Sequence, residues 1–215
     1  MLLFFSTIAI LIGGLAEFFP MVLVDENVPK IASVLPYTPL ELEGRDLYIR
    51  EGCVGCHSQM VSPFRWEVEG YDTQGDAGYS KLGEFIYDRP FLWGSKRTGP
   101  GLHRVGGKYD DSWHYLYMKD PTSTSPGSIM PPYPWMYEND LDVSSLPAKI
   151  RVLQMLNTPY PEGLDEIALQ DLRKQAAEIA EGLKGSSGNM EGLENKEIIA
   201  LIAYLQRLGT DIRPK

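Results

Sequence analysis

The sequence is poor in cysteine and histidine: its 215 residues hold two of the first and three of the second. Two cysteines exclude the multi-disulfide scaffolds with which small secreted domains replace a core. Positive charge is also scarce. Twenty Lys and Arg stand against twenty-nine Asp and Glu, a net charge of −9. Such a chain has no electrostatic reason to seek a phosphate backbone, which excludes nucleic acid as a partner. No Lys or Arg occurs before Lys30, so the basic start of a secretory signal peptide is missing. No internal repeat is visible, and no segment shows the two-residue alternation of a strand. What remains is an ordinary share of apolar residues, 43%, with 23% charged. That composition belongs to a folded chain and excludes wholesale disorder.

The apolar residues are unevenly spread. Leu2 to Val24 form one run interrupted by a single charge, Glu17. As a helix the run spans about 34 Å, enough for a hydrocarbon core of roughly 30 Å. It reads as a membrane anchor rather than a cleaved signal peptide, with a lipid bilayer as its partner. The flank beyond it is acidic (Asp25, Glu26, Glu41, Glu43), which favours the non-cytoplasmic side. Glu17 can reach the interface or a partner helix. The chain therefore divides into an anchor over 1–24, a tether over 25–39 stiffened by Pro29, Pro36 and Pro39, and a folded domain over 40–215.

The domain reads as mainly α. A helix opens at Thr38-Pro39 and stops at Gly52, with Gly44 permitting a close helix crossing. Short helical stretches are predicted over 81–87 and 110–120, and longer ones over 149–156, 165–183 and 194–208. The proline-rich 121–134 segment reads as loop and 185–188 as a flexible joint. The glycine-rich 94–107 segment reads as chain wrapped around something.

Cys53-Val54-Gly55-Cys56-His57 is a C-x-x-C-H pentapeptide, the haem-attachment signature. Two thiols add to the porphyrin vinyl groups, and the adjacent histidine becomes an axial ligand of the iron. The rival readings are a redox dithiol and half a zinc site. Neither has its context, since no βαβ pattern and no further cysteine is present. With one histidine of three taken, a multi-histidine copper site cannot be assembled either. The opposite face of the iron needs a ligand from Met60, Met118, Met130, Met136, His103 or His114. Met60 is too close to His57 to reach around the ring. Met130 is favoured, because Pro131 and Pro132 stiffen the loop that presents it. Met136 is the runner-up, Met118 reads as core packing, and His114 offers bis-histidine ligation or a propionate contact. His103 reads as a surface or loop histidine. Arg65, Lys96, Arg97 and Arg104 are candidate partners for the anionic propionates. Trp93 and Trp135 read as walls of the cofactor or packing surfaces for a neighbour.

The order of helix, C-x-x-C-H, Thr98-Gly99-Pro100-Gly101-Leu102, Met-Pro loop and final helix resembles the class I fold of small mono-haem cytochromes c. There the proline carbonyl of Gly-Pro-x-Leu meets the second nitrogen of the axial histidine, a role that falls here on Pro100 and His57. Two insertions, about 58–97 and 140–190, depart from the small proteins. The first ends in Tyr87-Asp88-Arg89-Pro90-Phe91-Leu92-Trp93-Gly94-Ser95-Lys96-Arg97-Thr98-Gly99-Pro100. With Leu42-Glu43-Gly44-Arg45-Asp46-Leu47-Tyr48 and Met130-Pro131-Pro132-Tyr133-Pro134-Trp135, it resembles the mono-haem subunit II of cbb3-type cytochrome c oxidases over nearly the whole chain. The resemblance implies covalent haem c on Cys53 and Cys56, axial ligands His57 and Met130, and a calcium ion near Ser95 at the contact with a haem-copper catalytic subunit. It further implies a di-haem cytochrome c subunit and c-type cytochrome donors as partners. The place implied is the periplasmic side of a bacterial inner membrane, with electron transfer and no oxygen chemistry of the chain's own. A free-standing membrane-anchored cytochrome c is the alternative. The chain departs from the family pattern at Gly101, at Thr122, and in lacking a second histidine after His114.

Overall fold

The computed structural model describes residues 1–22, 28–59, 80–94, 96, 98–187 and 192–212. Met60, Arg65, Ser95 and Arg97 lie outside them. Among the described residues the chain forms six helices of nine residues or more: α1 (Leu2–Val22), α2 (Pro39–Arg50), α3 (Asp111–Lys119), α4 (Leu146–Met155), α5 (Leu164–Gly182) and α6 (Glu197–Arg207). Extended pairing among the described residues is limited to isolated bridges, Gln59–Trp93 and Asp140–Lys196. The fold is mainly α, as the patterning predicts.

α1 exposes its apolar side chains from Leu2 to Phe19, a stretch of 18 residues long and apolar enough to cross a bilayer. Ser6 and Thr7 donate their hydroxyls back to Leu2 O and Leu3 O, each at 2.9 Å. Those bonds satisfy the only hydroxyls in the segment internally, as a hydrocarbon setting requires.

The domain is built on the crossing of α2 and α6. Thr38 caps α2 in a reciprocal box: its hydroxyl accepts from Glu41 N at 3.3 Å, and the Glu41 carboxylate accepts from Thr38 N at 2.8 Å. α6 is buried from Glu197 to Leu205, so it is the central helix of the core. Gly44 makes the crossing possible. A Cβ there would collide with the Ala200 carbonyl oxygen and lie 2.8 Å from Tyr204 Cβ. One turn on, the rings of Tyr48 and Tyr204 meet with centroids 5.4 Å apart. Arg50 forks onto Glu197 with two 2.7 Å bonds, and Lys149 of α4 reaches Glu43 at 2.7 Å and Asp46 at 2.6 Å on α2. α5 buries Ala168, Leu172, Ala176 and Ala180, one residue every turn, so much of the second predicted insertion is a wall of the core.

Three local readings change. From Val28 onward the expected tether is packed on the domain: Val28 and Val34 join Ile86 in a second apolar cluster with Ile31, Tyr87, Phe91 and Ile212. Leu35 N donates to Asp211 at 3.1 Å and Arg207 donates to Leu35 O at 2.8 Å. The apolar spacing of Val28, Ile31 and Val34 outweighs the prolines. Pro121–Thr124 is a helical turn inside the expected loop, because Asp120 accepts from Thr122 N at 3.1 Å and Pro121 suits a first helical position. Lys184–Ser187 is likewise a helical turn where a joint was expected.

Candidate cofactor site

α2 ends immediately before the cysteines. A 3-10 turn over Cys53–Gly55 folds the chain back so that His57 N donates to Cys53 O at 2.8 Å. Cys53 is buried, Cys56 is exposed, and both thiols are free. Burial, with the nearby Glu51 charge, pushes the Cys53 thiol up to about 12. Nothing at Cys53 stabilises the thiolate that a redox dithiol attacks with.

His57 is held from three sides. Its Nδ1 lies 2.8 Å from Pro100 O. A carbonyl only accepts, so Nδ1 carries the proton and Nε2 is the nitrogen left to bind a metal. Tyr48 Oη donates to His57 O at 2.5 Å. Gly99 N donates to Cys56 O at 3.0 Å and lays its bare Cα against the imidazole. A Cβ on Gly99 would strike His57 Cε1 and lie 2.7 Å from Nε2. Gly99→Ala is expected to push the ring off Pro100, giving a mixed or high-spin haem spectrum in the loaded protein. A spectrum identical to wild type would show that the contact does not set the ring.

Two cavities meet at His57. The larger, about 760 Å³ and open at its mouth, runs between Tyr48, Leu102, Val105, Leu201 and Leu205 on one side and α3 on the other. The smaller, about 470 Å³, lies between the Cys53–His57 turn, Thr98-Gly99 and Ile129-Met130-Pro131. Cys53, His57 and Met130 line both. An imidazole nitrogen, a thioether, two thiols and apolar walls form a donor set that fits a haem attached through C-x-x-C-H. The loop carrying Met130 is fixed by Met130 N to Ser128 Oγ at 3.2 Å and by Tyr133 N to Met118 O at 2.9 Å.

Other expected residues are dispersed. Met136 is wholly buried in the core and lines neither cavity, so the runner-up ligand is a packing residue. Met118, read as core, is both buried and in the larger cavity's wall. Arg104 is also buried, locked to Glu84 at 2.6 Å away from both cavities; its guanidinium went to a carboxylate of the chain rather than to the cofactor. Lys96 is exposed and lines neither cavity, and Arg97 and Arg65 lie outside the described residues. His103, expected at the surface, is buried. Trp93 lines neither cavity: the bridge to Gln59 and stacking on Phe91, with ring centroids 4.1 Å apart, leave it 39% exposed on the outside. Trp135 is also outside, donating to Glu51 at 3.0 Å. Among the described residues no cluster of three or more His, Cys, Asp or Glu offers a metal site, and Ser95, the implied calcium contact, is not among them.

Two features escaped the sequence reading. Tyr48, at the helix crossing, also donates to the His57 carbonyl. Tyr109, Trp113 and Tyr117 form a stack along one face, with centroids 4.0 and 4.5 Å apart, in the larger cavity's wall. Their four-residue spacing was the available signal.

An exposed apolar helix, a Gly44-mediated crossing of the first and last domain helices, and a C-x-x-C-H histidine held by a proline carbonyl define a single-span protein of the cytochrome c class. The match to known families is specific: the model for the cytochrome c oxidase mono-heme subunit, FixO, covers residues 1–212, and the chain belongs to that family. No curated protein matches it significantly. Membership makes the chain a haem-bearing, membrane-anchored subunit of an oxidoreductase complex, associated with the oxidase's catalytic subunit.

Proposed function

We propose that the chain is the electron-relay subunit of a cbb3-type haem-copper oxidase. Beside a di-haem cytochrome c subunit, it takes electrons singly from c-type cytochromes and delivers them toward the catalytic subunit, which reduces oxygen to water and pumps protons. Its domain stands on the periplasmic side of a bacterial inner membrane. Haem c, when bound, supplies a one-electron ferric/ferrous couple. Cys53 and Cys56 would hold the macrocycle, His57 and Met130 would ligate its iron, and Pro100 would orient His57. Filling both axial positions suits electron transfer rather than oxygen binding. The apolar walls contributed by α6 and the 102–105 turn exclude water. The observation that carries the reading is the convergence of Cys53, His57 and Met130 on both cavities, with His57 Nδ1 already engaged.

The free-carrier alternative is disfavoured by the anchor's short reach. Between Val22 of α1 and Val28, packed on the domain, only a few residues intervene, at most about 20 Å of extended chain. That suits a domain held beside a resident partner better than one that travels. Mild detergent extraction of the native membrane is expected to yield the chain together with a copper-containing subunit. Haem should stay on its polypeptide through denaturing electrophoresis. Purification as a lone haem protein would favour the free carrier; absence of a c-type haem band would overturn the haem reading itself.

A further inference from the structure

His114 presents an imbalance that the axial ligands do not resolve. It is 1% exposed, it lines the larger cavity, and neither ring nitrogen has a hydrogen-bond partner. A buried imidazole without a partner is costly, and native proteins rarely leave one. The ring stands edge-on to Trp113 and Tyr109, with centroids 5.3 and 6.2 Å away and interplanar angles of 87°, so its orientation is set by packing. The cavity has the complementary imbalance. A haem brings two carboxylates, yet among the described residues the walls of both cavities contain no Lys or Arg. Arg104 is committed to Glu84.

We propose that His114 is a haem-binding residue, its imidazole N–H donating to a haem propionate inside the larger cavity. The inference rests on the haem reading above. Burial brings His114 down to about 4, against the opposing pull of Asp111 and Asp110. The ring is then neutral near pH 7 and has one N–H to give and one nitrogen to accept. A donor at the propionate offsets its negative charge. Removing that donor leaves an anion facing the iron and favours the ferric state.

The test uses the full-length, haem-loaded protein in detergent. His114→Phe is expected to keep the methionine–iron charge-transfer band of the oxidised spectrum. It should shift the propionate bending mode in resonance Raman spectra and displace the ferric/ferrous equilibrium about tenfold toward ferric, ~59 mV for a one-electron couple. His114→Gln, which keeps an N–H donor, is expected to restore most of both. An unchanged propionate mode and potential in His114→Phe would overturn the proposal. Loss of the charge-transfer band would also overturn it, by making His114 essential to ligation. A third measurement does not depend on any variant folding. In the wild-type ferrous protein, an exchange-protected His114 N–H should show a nuclear Overhauser contact to propionate methylene protons, and its absence overturns the proposal. Wild-type protein without any c-type haem band would mark a failure of the haem reading, distinct from these results.

Discussion

Met130→Ala is expected to abolish the low-spin methionine–histidine spectrum and to lower the reduction potential by on the order of 100 mV, within the roughly 0.8 V over which axial ligands tune haem. The thioether stabilises ferrous iron, so a methionine–histidine pair sits at the high end of that range. Met130 lines both cavities, half-buried, on a loop tied down at Ser128 and Tyr133. Truncation removes the ligand without opening the core. Met136→Ala provides the contrast. That side chain is wholly buried away from the cavities, so the variant is expected to lose about 2–5 kcal/mol of stability while its spectrum stays unchanged. Optical spectra, a redox titration and thermal denaturation of both variants check this. A wild-type spectrum in Met130→Ala would assign the sixth position to another wall residue, Met118 or His114.

Asp88→Ala is expected to destabilise the domain by about 3–5 kcal/mol, the cost of stranding a buried guanidinium. For a chain of this length that is a fall in melting temperature of roughly 10 °C. Arg45 of α2 and Asp88 pair at 3.0 Å with almost no solvent exposure. Arg45 also donates to Arg89 O at 3.2 Å and to Pro90 O. Burial alone would lower the Arg45 pKa, but the Asp88 charge overrides it and holds the guanidinium above its ordinary value. Burial raises Asp88, with Arg45 opposing. The pair therefore fixes the 88–90 turn to the helix that leads into C-x-x-C-H, at the cost of desolvating both ions. Replacing both partners with leucine is expected to cost less than removing Asp88 alone. Calorimetry of the two single variants and the double variant decides the matter; a double loss equal to the sum of the two single losses would mean that the two charges are not coupled.

Much of this arrangement was legible before the structure, wherever the signal is local. The anchor follows from apolar length, and the start of α2 follows from Thr38, Pro39 and Glu41. The α2–α6 crossing was readable because Gly44 is the small residue in an otherwise bulky helix face. The prolines of the tether say nothing of its packing, because the partners of Val28, Ile31 and Val34, Ile86 and Ile212 among them, lie far along the chain. Arg104 was misjudged for the same reason: its partner, Glu84, could not be identified from neighbouring sequence. His103 does lie in a loop, but it is buried there, because burial depends on what folds over it.

By itself the sequence determined the apolar span, the attachment pentapeptide, the stiff Met130 loop and the identity of the family. Each depends on covalent order, periodicity or residue chemistry within a few turns of chain. Only the tertiary structure decided that Met130 and Met118 line the cavity while Met136 does not, which basic residues are already paired, and that His114 is buried there with both nitrogens unpartnered. Those outcomes depend on desolvation, and desolvation is set by atoms that folding brings together from distant parts of the chain.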